Sequence, residues 1–236
     1  MPTKRDILIT CEHASYEVPV EFDLLFRGQR DILRSHRGYD RYAIEMANAL
    51  ATRLDCELIQ GTVSRLLVEL NRSIDHRSLF SEFTRSISDL QRSALLNEYY
   101  FPYRKAVEQA IRSRIRRRYE VLHLSVHTFT PVMNGRPRIA DVGLLFDPTR
   151  ERESTLMRHW KQVLSQQLPE LRTRKNYPYY GRTDGLTTSM RHEFAGGNYV
   201  GIEVEVRNTL NPTSLTWQRL SAVFCQLADD FRQATC

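Results

Sequence analysis

The sequence predicts an α/β fold in one domain, with a mixed, mostly parallel sheet flanked by helices. Three observations lead there. Short apolar runs each end on histidine or glutamate: Ile7, Leu8 and Ile9 before Glu12 and His13, Val121, Leu122, Leu124 and Val126 before His127, and Tyr199, Val200 and Ile202 before Glu203 and Glu205. Runs of this kind read as strands buried on both faces. Stretches of helical periodicity alternate with them, the pattern of βαβ units. In open α/β sheets ligands bind at the carboxyl ends of the strands, so three strands with capable side chains at their far ends imply one shared rim.

The elements follow in order. Residues 6–11 form the first strand, and a loop with Pro19 follows it. A polar stretch, 35–39, leads into a helix over 40–54 that turns Ile44, Ala47 and Leu54, with Ala43 and Leu50, toward a core. Residues 57–60 are a short strand, and Leu66, Leu67, Val68 and Leu70 are a second buried run ended by Asn71 and Arg72. Residues 74–88 are polar and aperiodic, a surface loop or an excursion over the site. A long helical pattern over 89–118 is interrupted near Pro102, which lacks an amide N–H and crowds the preceding turn. The central strand to His127, a loop with Gly135 and Pro137, and a strand over 141–146 come next. A helix over 151–167 is stopped by Pro169. Residues 176–191, rich in Tyr, Gly and Thr, read as an ordered functional loop. After the strand ending at Arg207, Asn211 is expected to cap the last helix with Pro212 in its first turn. That helix carries Leu215, Leu220, Phe224, Leu227 and Phe231 on its apolar face.

Composition limits the function classes. A chain of 236 residues with 41% hydrophobic residues builds one substantial core. The net charge of +6 raises the question of nucleic acid, but Arg112, Arg114, Arg116, Arg117 and Arg118 cluster at a helix C-terminus. There they complement the helix dipole. No zinc-finger spacing, aromatic interleaving or RNA-binding motif accompanies them, so no nucleic-acid partner is expected; a positive field also favours a small acidic substrate. Four cysteines without CxxC spacing and an opening without a long apolar segment lead us to expect free thiols and a cytoplasmic protein. No apolar run reaches the roughly 20 residues of a membrane span. There is no nucleophile elbow, P-loop or dinucleotide glycine fingerprint.

His13 and His127 both follow strands and can face one crevice. Hydrolytic zinc takes three protein ligands and leaves a position for water, so a carboxylate is required beside them. Asp40 is one candidate, although a carboxylate at a helix start is also explained by capping. Glu12 is the alternative, if the backbone turns between it and His13, since strand neighbours face opposite sides. His36 reads as a supporting or loop histidine, and His76, His123 and His159 as surface or packing residues. Glu205 and Arg207 share a strand face, where buried charge is costly unless paired or placed at a site. The pair is either a local salt bridge or a general base with an anion-binding arginine, with Glu203 as the competing base. Arg65, Arg72, Arg191 and Arg207 suit bidentate carboxylate binding, and Asn71 and His192 lie beside them.

Seven motifs in fixed order resemble the N-formylglutamate amidohydrolase family: CEHAS at 11–15, HRGYDRYA at 36–43, SRLLVELNR at 64–72, HLSVHTFTP at 123–131, NYPYYG at 176–181, RHE at 191–193 and EVRN at 205–208. The resemblance covers nearly the whole chain. It implies a phosphorylase/hydrolase-like fold related to zinc carboxypeptidases, and a zinc-dependent, or other divalent-metal-dependent, hydrolase. The implied reaction cleaves N-formyl-L-glutamate to formate and glutamate, the last step of one histidine-degradation route. Position by position, His13 and His127 match the family's motif histidines, Asp40 its aspartate, Glu205 its strand glutamate and Arg207 the arginine after it. Glu69 stands where members often have Asp, Arg41 where a small or apolar residue is common, and Tyr16 where a His-x-x-Glu pairing would place its carboxylate. A non-catalytic anion-binding protein of the same fold, and an amidohydrolase for another small N-acyl substrate, are the alternatives.

Overall fold

The apolar runs become neighbouring strands. The computed structural model describes residues 4–234. Strand β1 (Lys4–Cys11) is followed by a 3-10 turn (Val20–Phe26), the single turn α1 (Arg30–Leu33), helix α2 (Ala43–Leu54) and strand β2 (Glu57–Gln60). Helix α3 (Asp89–Leu95), a π turn (Leu96–Tyr100) and helix α4 (Phe101–Arg116) lead to the long strand β3 (Tyr119–Phe129). A two-residue hairpin, β4 (Val132–Met133) with β5 (Arg136–Pro137), precedes β6 (Val142–Leu145). Helix α5 (Glu151–Gln167), β7 (Thr173–Lys175), helix α6 (Leu186–Glu193), β8 (Tyr199–Arg207) and helix α7 (Leu215–Gln233) complete the described chain. No helix among the described residues is long and apolar enough to cross a membrane.

Six strands form one mixed, mostly parallel sheet in the order β2-β1-β3-β8-β6-β7, and only β6 with β8 pairs antiparallel. One face is covered by α2, α5 and α7, whose Met46, Leu50, Trp160, Leu164 and Phe224 pack on Ile7, Ile9, Leu122, Leu124 and Ile202. The other face begins as a core too, with Leu8, Val121 and Tyr199 against Val107, Ile111 and Met190 of α4 and α6. Toward the carboxyl ends this second face turns polar. Thr10, His123 and Gly201 are followed by Glu12, Ser125 and Glu203, then by His127 opposite Glu205. Side chains alternate across a strand, so the residues between, such as Val126 and Val204, keep the opposite face apolar.

Several expectations change in detail. Helix α2 starts at Ala43, after Tyr42 with a φ of 70° and no side-chain cap. The run at 66–70 is buried but joins no sheet, because turns and loop contacts satisfy its backbone: Leu67 N–H donates to the Ser64 carbonyl and Glu69 N–H to the Leu79 carbonyl. The interruption near Pro102 is the π turn, closed by the Phe101 N–H on the Leu96 carbonyl. Residues 186–193 of the Tyr-rich segment are helical rather than loop. Ser214, not Asn211, caps α7, its hydroxyl accepting from Trp217 N–H; Asn211 instead accepts from Thr213. Cys11, Cys56 and Cys225 are free, and Cys236 lies outside the described residues.

His123 is a fully buried imidazole between the Thr10 hydroxyl at 2.9 Å and the Tyr199 hydroxyl at 2.7 Å. Burial pushes its pKa down to about 4, against the pull of Glu12. In the unfolded chain it is near 6.5, so as pH falls the unfolded state takes up the proton first. The stability tied to neutral His123 is therefore complete above about pH 6.5 and is lost as pH falls toward about 4. At roughly 1.4 kcal/mol per unit, the whole effect is on the order of 3 kcal/mol. Urea unfolding of wild type and His123→Gln at pH 7.5 and pH 5, on this reading, gives the steeper pH dependence to wild type, and equal dependence removes His123 as a cause.

Candidate metal centre

Three strands and one loop bring the site together. Parallel pairing sets β1, β3 and β8 side by side, so His13 just beyond β1 meets His127 on β3, and His127 lies in register with Glu205 on β8. Asp40 comes from the loop before α2, held by its N–H on the His13 carbonyl at 3.0 Å. The Nδ1 atoms of His13 and His127 are 3.2 Å apart, and Asp40 Oδ2 is 3.2 Å from the first and 2.9 Å from the second. All three residues are buried, with exposures of 2%, 6% and 3% for His13, Asp40 and His127. Asp40 caps no helix; its other oxygen takes the Arg65 guanidinium at 3.2 Å.

The back of each ring is occupied by a carboxylate. His13 Nε2 meets Glu69 Oε1 at 2.5 Å, and His127 Nε2 meets Glu12 Oε2 at 2.8 Å. Glu12 is itself held by the Tyr103 hydroxyl at 2.8 Å and the Ser125 hydroxyl at 2.6 Å. With Nε2–H donated to a carboxylate, each Nδ1 is left to face forward as an acceptor, the arrangement found behind histidines that bind metals. Ligands about 2.0–2.1 Å from a tetrahedral ion stand roughly 3.3 Å from one another, close to the spacings observed. His13, Asp40 and His127 are a group able to hold a metal ion.

Charge leads to the same conclusion. Burial alone would raise the carboxyls of Glu12, Asp40 and Glu69, yet all three are held well below the usual range by the histidines and, for Asp40 and Glu69, by Arg65. Burial likewise disfavours a proton on His127, but its bonds to Asp40 and Glu12 outweigh that and raise its pKa well above 6.5. As the site stands, the raised His127 helps Arg65 compensate the three buried carboxylates; with both imidazoles neutral they would leave two negative charges, and buried charge persists only when compensated. A divalent cation matches that deficit. Glu205 behaves differently. Burial, with Asp40 and Glu203 beside it, pushes its carboxyl up to about 8 against His127 and Arg138. Its Oε2 has no partner, and the residue lines the same cavity of about 130 Å³ as His13, Asp40 and His127.

Arg65, Asn71 and Arg72 also line this cavity. Arg65 is not an open clamp as expected, because Nε and Nη2 bind Glu69 and Nη1 binds Asp40. Asn71 accepts from Leu186 N–H at 2.7 Å and places its Nδ2 3.4 Å from His127 Nε2. Arg72 spends Nη1 on the Asn71 and Asp184 carbonyls. The other expected contacts fall elsewhere. Arg191 is buried against Glu153 and the carbonyls of Gly181 and Gly201. His192 is exposed, and Arg207 binds the Arg138 and Ala140 carbonyls and Asp141. Glu12 is corrected from possible ligand to the support of His127, since it stands behind the ring. Glu203 lines the cavity but accepts from the Thr187 hydroxyl at 2.5 Å.

The sequence alone gives no role to Glu69, which it marks only as a motif position, nor to Tyr103, Ser125, Arg138 and Tyr179. Only Glu69 left a signal, a charge set inside an apolar run.

Removing the charge behind one ring while keeping its shape tests this arrangement. Glu12→Gln is expected to lower zinc affinity about 10- to 100-fold, measured by competition with a chromogenic chelator. His127→Ala abolishes stoichiometric binding on the same assay, and wild-type affinity in Glu12→Gln would separate Glu12 from the centre.

No curated protein matches this chain. Among solved structures, gene product Atu2144 from Agrobacterium tumefaciens is 26% identical with a TM-score of 0.81, over 97% of this chain and 90% of that one. N-formylglutamate amidohydrolase from Ralstonia eutropha JMP134 shares the fold at a TM-score of 0.70 and 16% identity, over 99% and 96% of the two chains. The family model for N-formylglutamate amidohydrolase matches residues 5–210, and the chain belongs to that family.

Proposed function

We propose that this protein is a zinc-dependent amidohydrolase that cleaves N-formyl-L-glutamate, or a closely related N-acyl amino acid, to the free amino acid and the acid. The observation that carries this reading is the convergence of His13, Asp40 and His127 on one cavity with the unpartnered Oε2 of Glu205. His13, Asp40 and His127 would hold the divalent ion, which when bound would supply Lewis-acid polarisation of a carbonyl oxygen and a more acidic water.

The remaining chemistry falls to the chain itself. Glu205 accepts the proton of the attacking water at its free Oε2, then returns it to the leaving amide nitrogen. Burial raises its carboxyl toward the range in which one group can both take up and return a proton. Glu203, already bonded to Thr187, is the poorer base. Arg72, which has no carboxylate within salt-bridge distance among the described residues, takes the substrate α-carboxylate. A cavity of about 130 Å³ suits a formyl or similarly small acyl group. The reaction belongs in a reducing, cytoplasmic setting, which the free thiols of Cys11, Cys56 and Cys225 suit.

Glu205→Gln keeps the shape and loses the proton acceptor. We expect it to retain zinc while turnover of N-formyl-L-glutamate falls by about 10²- to 10⁴-fold, read as formate release at saturating substrate. Near-normal turnover would take Glu205 out of the chemistry. Wild-type protein that binds zinc but hydrolyses no member of an N-formyl and N-acetyl amino acid panel would leave the fold with an anion-binding role instead.

A further inference from the structure

A second chamber of about 380 Å³ adjoins the metal cavity and shares Asp40, Arg65, Thr128 and Tyr179 with it. Its cations are not equivalent. Arg65 is committed to Asp40 and Glu69, and Arg37 to Glu82. Arg138, half-buried on the arm between β5 and β6, has no carboxylate within salt-bridge distance among the described residues. Its guanidinium lies 5.0 Å from the Tyr179 ring centre and 5.6 Å from that of Phe129, and Nη2 donates to the Tyr179 hydroxyl at 3.0 Å. Aromatic faces fix a guanidinium in place without neutralising it.

The arm itself is braced. Arg207 donates to the Arg138 carbonyl at 2.9 Å and the Ala140 carbonyl at 2.7 Å. Ile139 N–H donates to the Tyr177 hydroxyl at 2.9 Å, and Arg138 N–H to the Pro131 carbonyl at 2.7 Å. A positioned cation with no carboxylate in salt-bridge contact among the described residues, at the mouth of a cavity, is preorganised to bind an anion.

We propose that Arg138 recognises the side-chain carboxylate of the substrate and so sets a preference for an acidic amino acid. The scissile amide lies in the inner cavity with the α-carboxylate toward Arg72. The side chain extends past Tyr179 into the outer chamber, where the guanidinium donates to the distal carboxylate. This inference rests on the amidohydrolase reading and adds the residue that selects within it.

The test compares kcat/KM for N-formyl-L-glutamate and N-formyl-L-glutamine, which differ in charge but hardly in shape. Wild type should favour the glutamate compound by roughly 10- to 100-fold. Arg138→Gln should erase that preference through a higher KM for the glutamate compound alone, and Arg138→Lys should restore part of it. Turnover of the glutamine compound reports that the variant is folded. A preference that survives Arg138→Gln, an absent preference in wild type, or an equal loss on both compounds overturns the assignment. Calorimetric binding of L-glutamate and L-glutamine with Zn²⁺ added separates the two readings. If neither N-formyl compound is cleaved, the proposed reaction fails, while tighter binding of glutamate that vanishes in Arg138→Gln sustains the role of Arg138. Equal binding of the two amino acids by wild type overturns it.

Discussion

Everything at the rim depends on which ring nitrogen each histidine turns outward. An imidazole can present either nitrogen, and the one it presents is set by what holds the other. Here Glu69 and Glu12 take the Nε2 atoms of His13 and His127, so both Nδ1 atoms meet at Asp40. The parallel pairing of β1 with β3 brings the two strands' ends to the same edge of the sheet. The π turn before α4 serves the same purpose from the side: it accompanies a helix face on which Tyr100 reaches the Arg72 carbonyl and Tyr103 reaches Glu12.

Such a concentration of buried carboxylates costs stability and is offset in layers. Arg65 bridges Asp40 and Glu69, hydroxyls of Tyr103 and Ser125 satisfy Glu12, and Thr128 N–H donates to Asp40. Among the described residues, Glu205 is the carboxylate that keeps a fully buried oxygen without a partner. The proton-transfer role proposed for Glu205 rests on that exception. Close backbone approach also shapes the wall: a Cβ on Gly143, opposite Glu205, would lie 1.9 Å from the Tyr177 carbonyl oxygen. Only glycine lets the Tyr-rich loop close over the site there.

The architecture was legible because its signals are local. Strand β2 and helix α5 lie where hydrophobic periodicity puts them, and the histidines stand out because they end apolar runs. The contacts that sort one arginine from another are not local. Arg191 and Arg207 look like clamps beside a strand, but their partners, Glu153 and the carbonyls of Arg138 and Ala140, are far away in sequence. Glu12 and Asp40 were both plausible partners for the two histidines, and only the fold puts Asp40 before both rings and Glu12 behind that of His127. At the start of α7, Asn211 and Ser214 are both capping residue types three positions apart, and the bond to the Trp217 N–H falls to Ser214.

The reversed direction of β6 has a consequence for how this scaffold can change. A parallel strand would have required a crossover that carried the chain back to the opposite end of the strands. Because β6 runs against β8, with Val142 beside Val206, the chain leaves β3 and re-enters the sheet at the same end of the strands, and the β4–β5 hairpin stays at the mouth of the site. That short excursion bears no ligand of the centre and no part of the inner core. Changes in its length or side chains would therefore alter which molecules reach the cavity while leaving His13, Asp40 and His127 in place.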